Sequence, residues 1–273
     1  MRVSTFNTLE LAKYIRLESL KMANLSGGSH IASVLSIADI LAVLYGGNIL
    51  SVDPKNPNWE DRDRFILSKG HACAGLYAVL AKINFFSEKN LKMYGKKGSN
   101  LSAHVNHKID GVEFSTGSLG HGLPVGIGKA TAAKMKKKNW KVFVLLSDGE
   151  LDEGSNWEAF LYAAHHHIDN ITVIVDYNKL QSLDSVNSTL CIEPLAEKLS
   201  SFGWEVMEID GHDHEDLKYS LSSTPWKKNT PSLIIANTIK GKGVGFMENK
   251  VEWHYKSPNQ KQLSEAFREL GVV

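Results

Sequence analysis

Cysteine is scarce in this sequence: Cys73 and Cys191 stand far apart, without a C-x-x-C pairing. That excludes a disulfide-stapled scaffold and a zinc ribbon, and it suits a reducing compartment. An excess of charge of either sign is also missing. The formal net charge of +1 provides no global field to draw nucleic acid or anionic lipid. The one basic run, Lys134, Lys136, Lys137 and Lys138, ends an apolar-periodic segment, where lysines complement the negative end of a helix dipole. Long hydrophobic runs are absent too. The most apolar stretch, 31–50, is interrupted by Asp39, Gly46, Gly47 and Asn48, which makes a poor membrane span. Residues 1–20 alternate polar and apolar without an apolar signal core, so no signal peptide and a cytoplasmic location are expected.

What remains is an ordinary globular composition, 42% hydrophobic and 22% charged, over 273 residues. Such a chain can bury a large core as one domain spanning 1–273. Its first half reads mainly as helices. Leu9, Leu11, Ile15, Leu17, Leu20 and Met22 form one stripe; Ile37, Ile40, Leu41 and Leu44 form another, stopped by Gly46 and Gly47. Pro54 and Pro57 mark a loop, and 70–84 reads as a further helix. Between Tyr94 and Gly122 the chain is rich in Gly, Ser, Asn and His, and a loop of that length in a compact domain is usually functional. The second half alternates strand and helix: apolar runs at 142–146, 171–175, 204–209 and 233–239 predict strands, with a helix from the acidic turn to about His167. The pattern is α/β, a doubly wound and mainly parallel sheet flanked by helices. Ligands of such sheets bind beyond the carboxyl ends of the strands.

Two acidic turns lie at those ends. Asp148-Gly149-Glu150 follows the first run, and Asp176-Tyr177-Asn178-Lys179-Leu180 follows the second. Adjacent parallel strands bring Asp148 and Asn178 side by side. A carboxylate, an amide oxygen and a backbone carbonyl suit Mg²⁺ or Ca²⁺, with diphosphate oxygens and water completing an octahedron. Gly149 lets the backbone approach a phosphate, and the helix that follows offers free N–H groups. An isolated Asp-Gly more often caps a turn; the paired occurrence after two strands is the specific feature. Elsewhere, His165, His166 and His167 point in different directions around a helix and make no metal site. Lys240-Gly241-Lys242-Gly243 lacks the spacing of a phosphate-binding P-loop and reads as a connection towards His254.

The turns also match the thiamine diphosphate signature G-D-G followed about thirty residues later by N, with Ser147 in place of the first glycine. Together with Gly28-Ser29-His30, Leu67-Ser68-Lys69-Gly70-His71-Ala72, Ser115-Thr116-Gly117-Ser118-Leu119-Gly120-His121-Gly122, the run from Asp148 to Ala159, and Lys240-Gly241-Lys242-Gly243, the chain resembles the N-terminal, diphosphate-binding half of transketolases. In particular it resembles the split, two-subunit form. The resemblance implies thiamine diphosphate and Mg²⁺ or Ca²⁺ as cofactors, with metal ligands Asp148, Asn178 and the Leu180 carbonyl. It implies cofactor contacts from His71, Gly117, Ser118, Leu119, Asp148, Gly149, Glu150 and Asn178. His30, His104 and His254 would line the substrate channel and shuttle protons. Glu153 and Glu158 would couple paired active sites across a subunit interface.

The family's pyrimidine-binding domain, with its activating glutamate, has no counterpart in the sequence. The resemblance therefore implies a C-terminal partner subunit, two copies of each chain, and sugar or sugar-phosphate substrates, with neither nucleic acid nor membrane. Three departures surround the channel: Ile31-Ala32-Ser33-Val34 after His30, Val105 after His104, and Tyr255 after His254. They imply a specialised substrate. The α subunit of a two-oxoacid dehydrogenase decarboxylase shares the Asp–Asn pair, but has no need of histidines that grip a polyol. A deoxyxylulose-phosphate synthase normally carries both domains on one chain. A non-catalytic partner subunit that keeps the fold is the reading from a different class.

Overall fold

The computed structural model describes residues 5–272; the ends of the expected 1–273 domain, 1–4 and 273, lie outside the described residues. Asn7 opens helix α1 (Thr8–Ser26) by accepting the free amides of Leu9 and Glu10, and Gly27 closes it at φ 64°. Helices α2 (Ile31–Leu35) and α3 (Ala38–Gly46) follow, the latter ending where the paired glycines predict. The next element, strand β1 (Arg64–Leu67), is a strand that the mainly helical reading of this half did not place. Four residues carry too little periodicity to be read; their pairing with a later strand makes them one. A 3₁₀ turn, Gly70–Ala72, leads into α4 (Cys73–Lys82), so the helix expected over 70–84 is present with a tightened start.

The chain then builds α5 (Gly122–Met135), β2 (Val142–Ser147), α6 (Gly154–His165), β3 (Ile171–Tyr177), α7 (Val186–Thr189), α8 (Leu195–Ser201), β4 (Glu205–Asp210), α9 (His214–Ser222), β5 (Ser232–Asn237) and α10 (Gln260–Glu269). All four predicted later strands are present within a residue or two of their expected limits. The sheet is parallel throughout, in the order β1-β2-β3-β5-β4. Alternate residues of each central strand feed opposite cores. Phe143, Leu145 and Ile174 pack with α1, α3, α4 and α9, whereas Val142, Val144, Leu146, Val173 and Val175 pack with α5, α6 and α8. Burial on both faces explains why β2 and β3 are continuous apolar runs rather than alternating ones.

Among the described residues no helix is long and apolar enough to cross a membrane. The lysine run closes α5 as expected: Lys134 pairs with Asp169, and Lys138 with Asp61. His165, His166 and His167 are exposed, and no metal-holding group of His, Cys, Asp or Glu occurs among the described residues.

Candidate functional site

At the carboxyl ends of β2 and β3, Ser147 is in register with Asp176, and the Asp148 amide donates to the Asp176 carbonyl at 3.3 Å. Asp148 and Asn178 thus emerge side by side, as the strand pairing predicts. The Asp148 carboxylate accepts the Gly149 amide at 2.8 Å and the Lys179 amide at 2.6 Å. Asn178 donates its side-chain NH₂ to Asp176 at 3.1 Å. That bond turns Oδ1 of Asn178 away from Asp176, where it accepts the Leu180 amide and remains available as an oxygen ligand. Asp176 is itself a buried hub, accepting from Lys69, Thr238 and Ser36. Burial alone would raise its pKa, but the Lys69 ammonium and these hydrogen bonds hold it below the ordinary value.

Above the turns lies a cavity of about 240 Å³, lined among others by His30, His71, His104, His254, Asp148, Asn178, Leu180 and Lys240. Sequence separations of up to 224 residues (His254 against His30) collapse here. The His30 ring lies 5.0 Å from His71, 4.9 Å from His254 and 6.0 Å from His104, centroid to centroid. His30 sits at φ 72°, a left-handed conformation uncommon for a side chain of that size, and its amide donates to the His254 carbonyl at 2.8 Å. Strain of this kind persists only where the surroundings over-determine it.

The long 94–121 connection contributes the opposite wall, and it is tied down. The Thr116 hydroxyl donates to the Leu67 carbonyl at 2.6 Å, Tyr77 to the His104 carbonyl at 2.8 Å, and the Val105 amide to the Gly70 carbonyl at 3.2 Å. A methyl group at Gly70 would meet the Thr116 backbone at 2.5 Å, so only glycine permits this approach.

Gly117, Leu119 and Gly149 line the cavity; Ser118 is exposed at the tip of its turn. Glu150, expected as a cofactor contact, is placed elsewhere. It is fully buried behind the cavity, accepting from Ser68, the Gly120 amide and the Ser147 amide. It braces the turns that form the wall and does not line the cavity. Glu153 and Glu158 are exposed at the start of α6, also outside the cavity. Of the three departures around the channel, Ile31, Ala32 and Val34 on α2 and Val105 in the 94–121 connection are buried in the core and do not line the cavity. Ser33 and Tyr255 line the cavity, and the Tyr255 ring lies 4.7 Å from that of His254.

Sequence reasoning missed Lys240 and Lys69. Lys240 is 1% exposed, and its ammonium donates to the Leu180 carbonyl at 2.8 Å, the Gln181 carbonyl at 2.9 Å and Nδ1 of His254 at 3.1 Å. Nδ1 of His254 is therefore an acceptor, and its proton resides on Nε2. The available signal was a lysine just past an apolar strand run, a position from which the side chain reaches the sheet's ligand-binding end.

Electrostatics separate the groups. Burial, then His104 and the nearby lysines, bring His30 down to about 4; burial and Lys240 bring His254 down to about 3. Burial and Lys69 hold His71 well below its ordinary value. All three are neutral imidazoles at neutral pH, able to donate and accept. Burial and Lys69 lower Lys240 to about 8, so it remains largely charged. Burial, then the Asp176 charge, push Asp148 up to about 7. A carboxylate protonated more readily when folded than when unfolded gives stability present at low pH and lost as pH rises through about 7. A cation that needs the ionised form must displace that proton. Divalent-metal affinity, measured calorimetrically, should therefore rise up to about pH 7 and flatten above it. A flat profile across that range would contradict Asp148 as a ligand.

Residues 8–272 match the family described as transketolase, thiamine diphosphate binding domain. The chain is 43% identical to an apulose-4-phosphate transketolase subunit of Actinobacillus succinogenes, covering 95% of this chain and 94% of that one. It is 35% identical to a 6-deoxy-6-sulfo-D-fructose transketolase subunit of a Clostridium species over 95% of this chain and 94% of that one. Transketolase of Campylobacter jejuni superposes with a TM-score of 0.92 at 32% identity, over 98% of this chain and 43% of the longer one. The chain thus spans about two fifths of the solved transketolase. A parallel sheet with this site at its carboxyl edge and relatives aligned almost end to end lead to one conclusion: the chain belongs to the transketolase family, as its thiamine diphosphate-binding domain.

Proposed function

We propose that this chain is one subunit of a two-subunit transketolase, transferring a two-carbon ketol unit from a ketose or ketose phosphate to an aldose. The observation that carries this reading is the convergence of the Asp148, Asn178 and Leu180 oxygens with four histidines in one cavity. When bound, thiamine diphosphate supplies the carbon nucleophile such a transfer needs. The residues present fit it and its metal. Asp148, the oriented Oδ1 of Asn178 and the Leu180 carbonyl form an all-oxygen donor set suited to Mg²⁺ or Ca²⁺. His71 and the Gly149 backbone would hold the diphosphate, with the Lys240 charge beside it and Gly117, Ser118 and Leu119 against the cofactor. His30, His104 and the Nε2 proton of His254 would bind the substrate hydroxyls and move protons. A two-oxoacid substrate makes no use of such a cluster.

Lys240 is an expected source of affinity. Lys240→Met should weaken thiamine diphosphate binding roughly tenfold, since it removes a buried positive charge beside the diphosphate and the bonds that hold the Leu180 and Gln181 carbonyls in place. A titration of the assembled enzyme reads this directly; unchanged affinity would remove Lys240 from the diphosphate site.

The partner would be a C-terminal subunit that carries the pyrimidine-binding domain and the activating glutamate, with two copies of each chain in a cytoplasmic heterotetramer. This chain would be a single diphosphate-binding domain, and Glu153 and Glu158 would lie at the interface. A specialised sugar substrate rests on Tyr255, which lines the cavity beside His254, and on relatives named for apulose-4-phosphate and 6-deoxy-6-sulfo-D-fructose. Tyr255→Gly should raise kcat/KM for xylulose 5-phosphate about tenfold, about 1.4 kcal/mol of steric discrimination relieved. Ordinary transketolase rates with that donor before substitution would sink the specialised-substrate reading.

A further inference from the structure

Lys240 acts at the site through a side chain whose backbone is gripped from three sides. The Gly241 amide donates to the Ala32 carbonyl at 3.0 Å. The Ile239 amide donates to Nε2 of His212 at 2.8 Å, and Nε of Arg16 donates to the Lys242 carbonyl at 3.1 Å. The last two clamps meet at one carboxylate. Asp39, 5% exposed in the core, accepts from Arg16 at 3.0 and 2.5 Å, from Nδ1 of His212 at 2.7 Å and from Nε2 of His214 at 3.1 Å. Burial would raise the Asp39 pKa, but the bonds from His212, His214 and Arg16 hold it far below the ordinary value, so it is ionised. An amide donates to Nε2 of His212, so Nε2 is the acceptor and Nδ1 carries the proton given to Asp39. The tautomer is fixed at both ends. No cofactor contact explains this cluster: Asp39, Arg16 and His214 do not line the cavity that holds Lys240.

The geometry points to His212 as a positioning residue for the diphosphate site: anchored on Asp39, it fixes the Ile239 amide and so the backbone from which Lys240 reaches the Leu180 and Gln181 carbonyls. The inference rests on the cofactor reading above. Arg16 performs the matching task on the other side of Lys240, at the Lys242 carbonyl. His212 carries no substrate and touches no reacting atom.

Two substitutions separate this from general structural support. His212→Gln places an acceptor near the Nε2 position and loses the bond to Asp39. His212→Asn keeps a donor near Nδ1 for Asp39 and loses the acceptor for Ile239. Each variant, assembled with the partner subunit, is titrated calorimetrically with thiamine diphosphate in Mg²⁺, and its melting temperature and saturated kcat are recorded. The Asn variant should bind about tenfold more weakly with kcat at saturation retained, and the Gln variant should stay within about threefold of the unaltered complex. Arg16→Lys, which keeps a cation beside Asp39 but withdraws Nε from Lys242, should also weaken binding by about threefold to tenfold. Equal affinities for the Asn and Gln variants, or weaker binding by Gln, would overturn the positioning role and leave the cofactor reading intact. Failure of the unaltered complex to bind would overturn both.

Discussion

Asp148→Ala is expected to weaken metal-dependent binding of thiamine diphosphate by about a hundredfold or more, since the proposed donor set of Asp148, Asn178 and Leu180 would lose its anionic member. The fold should tolerate the change. Asp148 is 1% exposed and its carboxyl is pushed up to about 7 by burial and by Asp176, so its ionised form burdens the fold rather than stabilising it. What the substitution removes structurally is two hydrogen bonds, to the Gly149 and Lys179 amides. If Asp148 were only a turn cap, the variant would lose melting temperature, about 1 kcal/mol in stability, and keep its response to Mg²⁺. Titration of Mg²⁺ with and without cofactor, beside thermal melts, separates these outcomes. A retained metal response would refute the clamp.

A larger loss, in activity rather than affinity, is expected when the partner is withheld. The chain is matched along 94% of a relative named as one part of a transketolase, yet along only 43% of the solved transketolase from C. jejuni. The cavity is lined by four histidines, a lysine and an all-oxygen donor set, and among the described residues no glutamate lines it. The proposed partner would supply that carboxylate, so ketol transfer by this chain alone should fall at least about a thousandfold below that of the mixture, the scale of losing a general acid–base group. Gel filtration of the mixed subunits should give the two-plus-two assembly. Full activity from the isolated chain would overturn the shared-site account.

Much of the candidate site was legible because its oxygen-bearing residues are punctuation. Asp148 and Asn178 follow immediately on apolar strand runs, and neighbouring strands placed in register bring them together without further information. The histidines were legible by resemblance alone, since nothing in local spacing predicts that His30 and His254 meet. That contact depends on α2, on the left-handed turn at His30 and on the bond from its amide to the His254 carbonyl. Glu150 was expected against the cofactor by resemblance alone; the fold instead sets its carboxylate behind the wall, bound by three donors. Lys240 was missed for the opposite reason. A lysine in a glycine-rich connection looks solvated, and its burial depends on carbonyls sixty residues away. Strand β1 escaped notice because four residues acquire their identity from β2.

The most direct measurement follows carbon. The assembled two-subunit enzyme is supplied with thiamine diphosphate, Mg²⁺, a ketose phosphate donor labelled with carbon-13 at its first two carbons, and an aldose phosphate acceptor, and the products are weighed by mass spectrometry. Donors would include xylulose 5-phosphate, apulose 4-phosphate and a sulfonated ketose. The account predicts that both labelled carbons move together into a ketose lengthened by two carbons, that the donor is shortened by the same two, and that Asp148→Ala abolishes the transfer. Label that stays in the donor with every ketose tested, or a complex that releases carbon dioxide from a two-oxoacid instead, would contradict it.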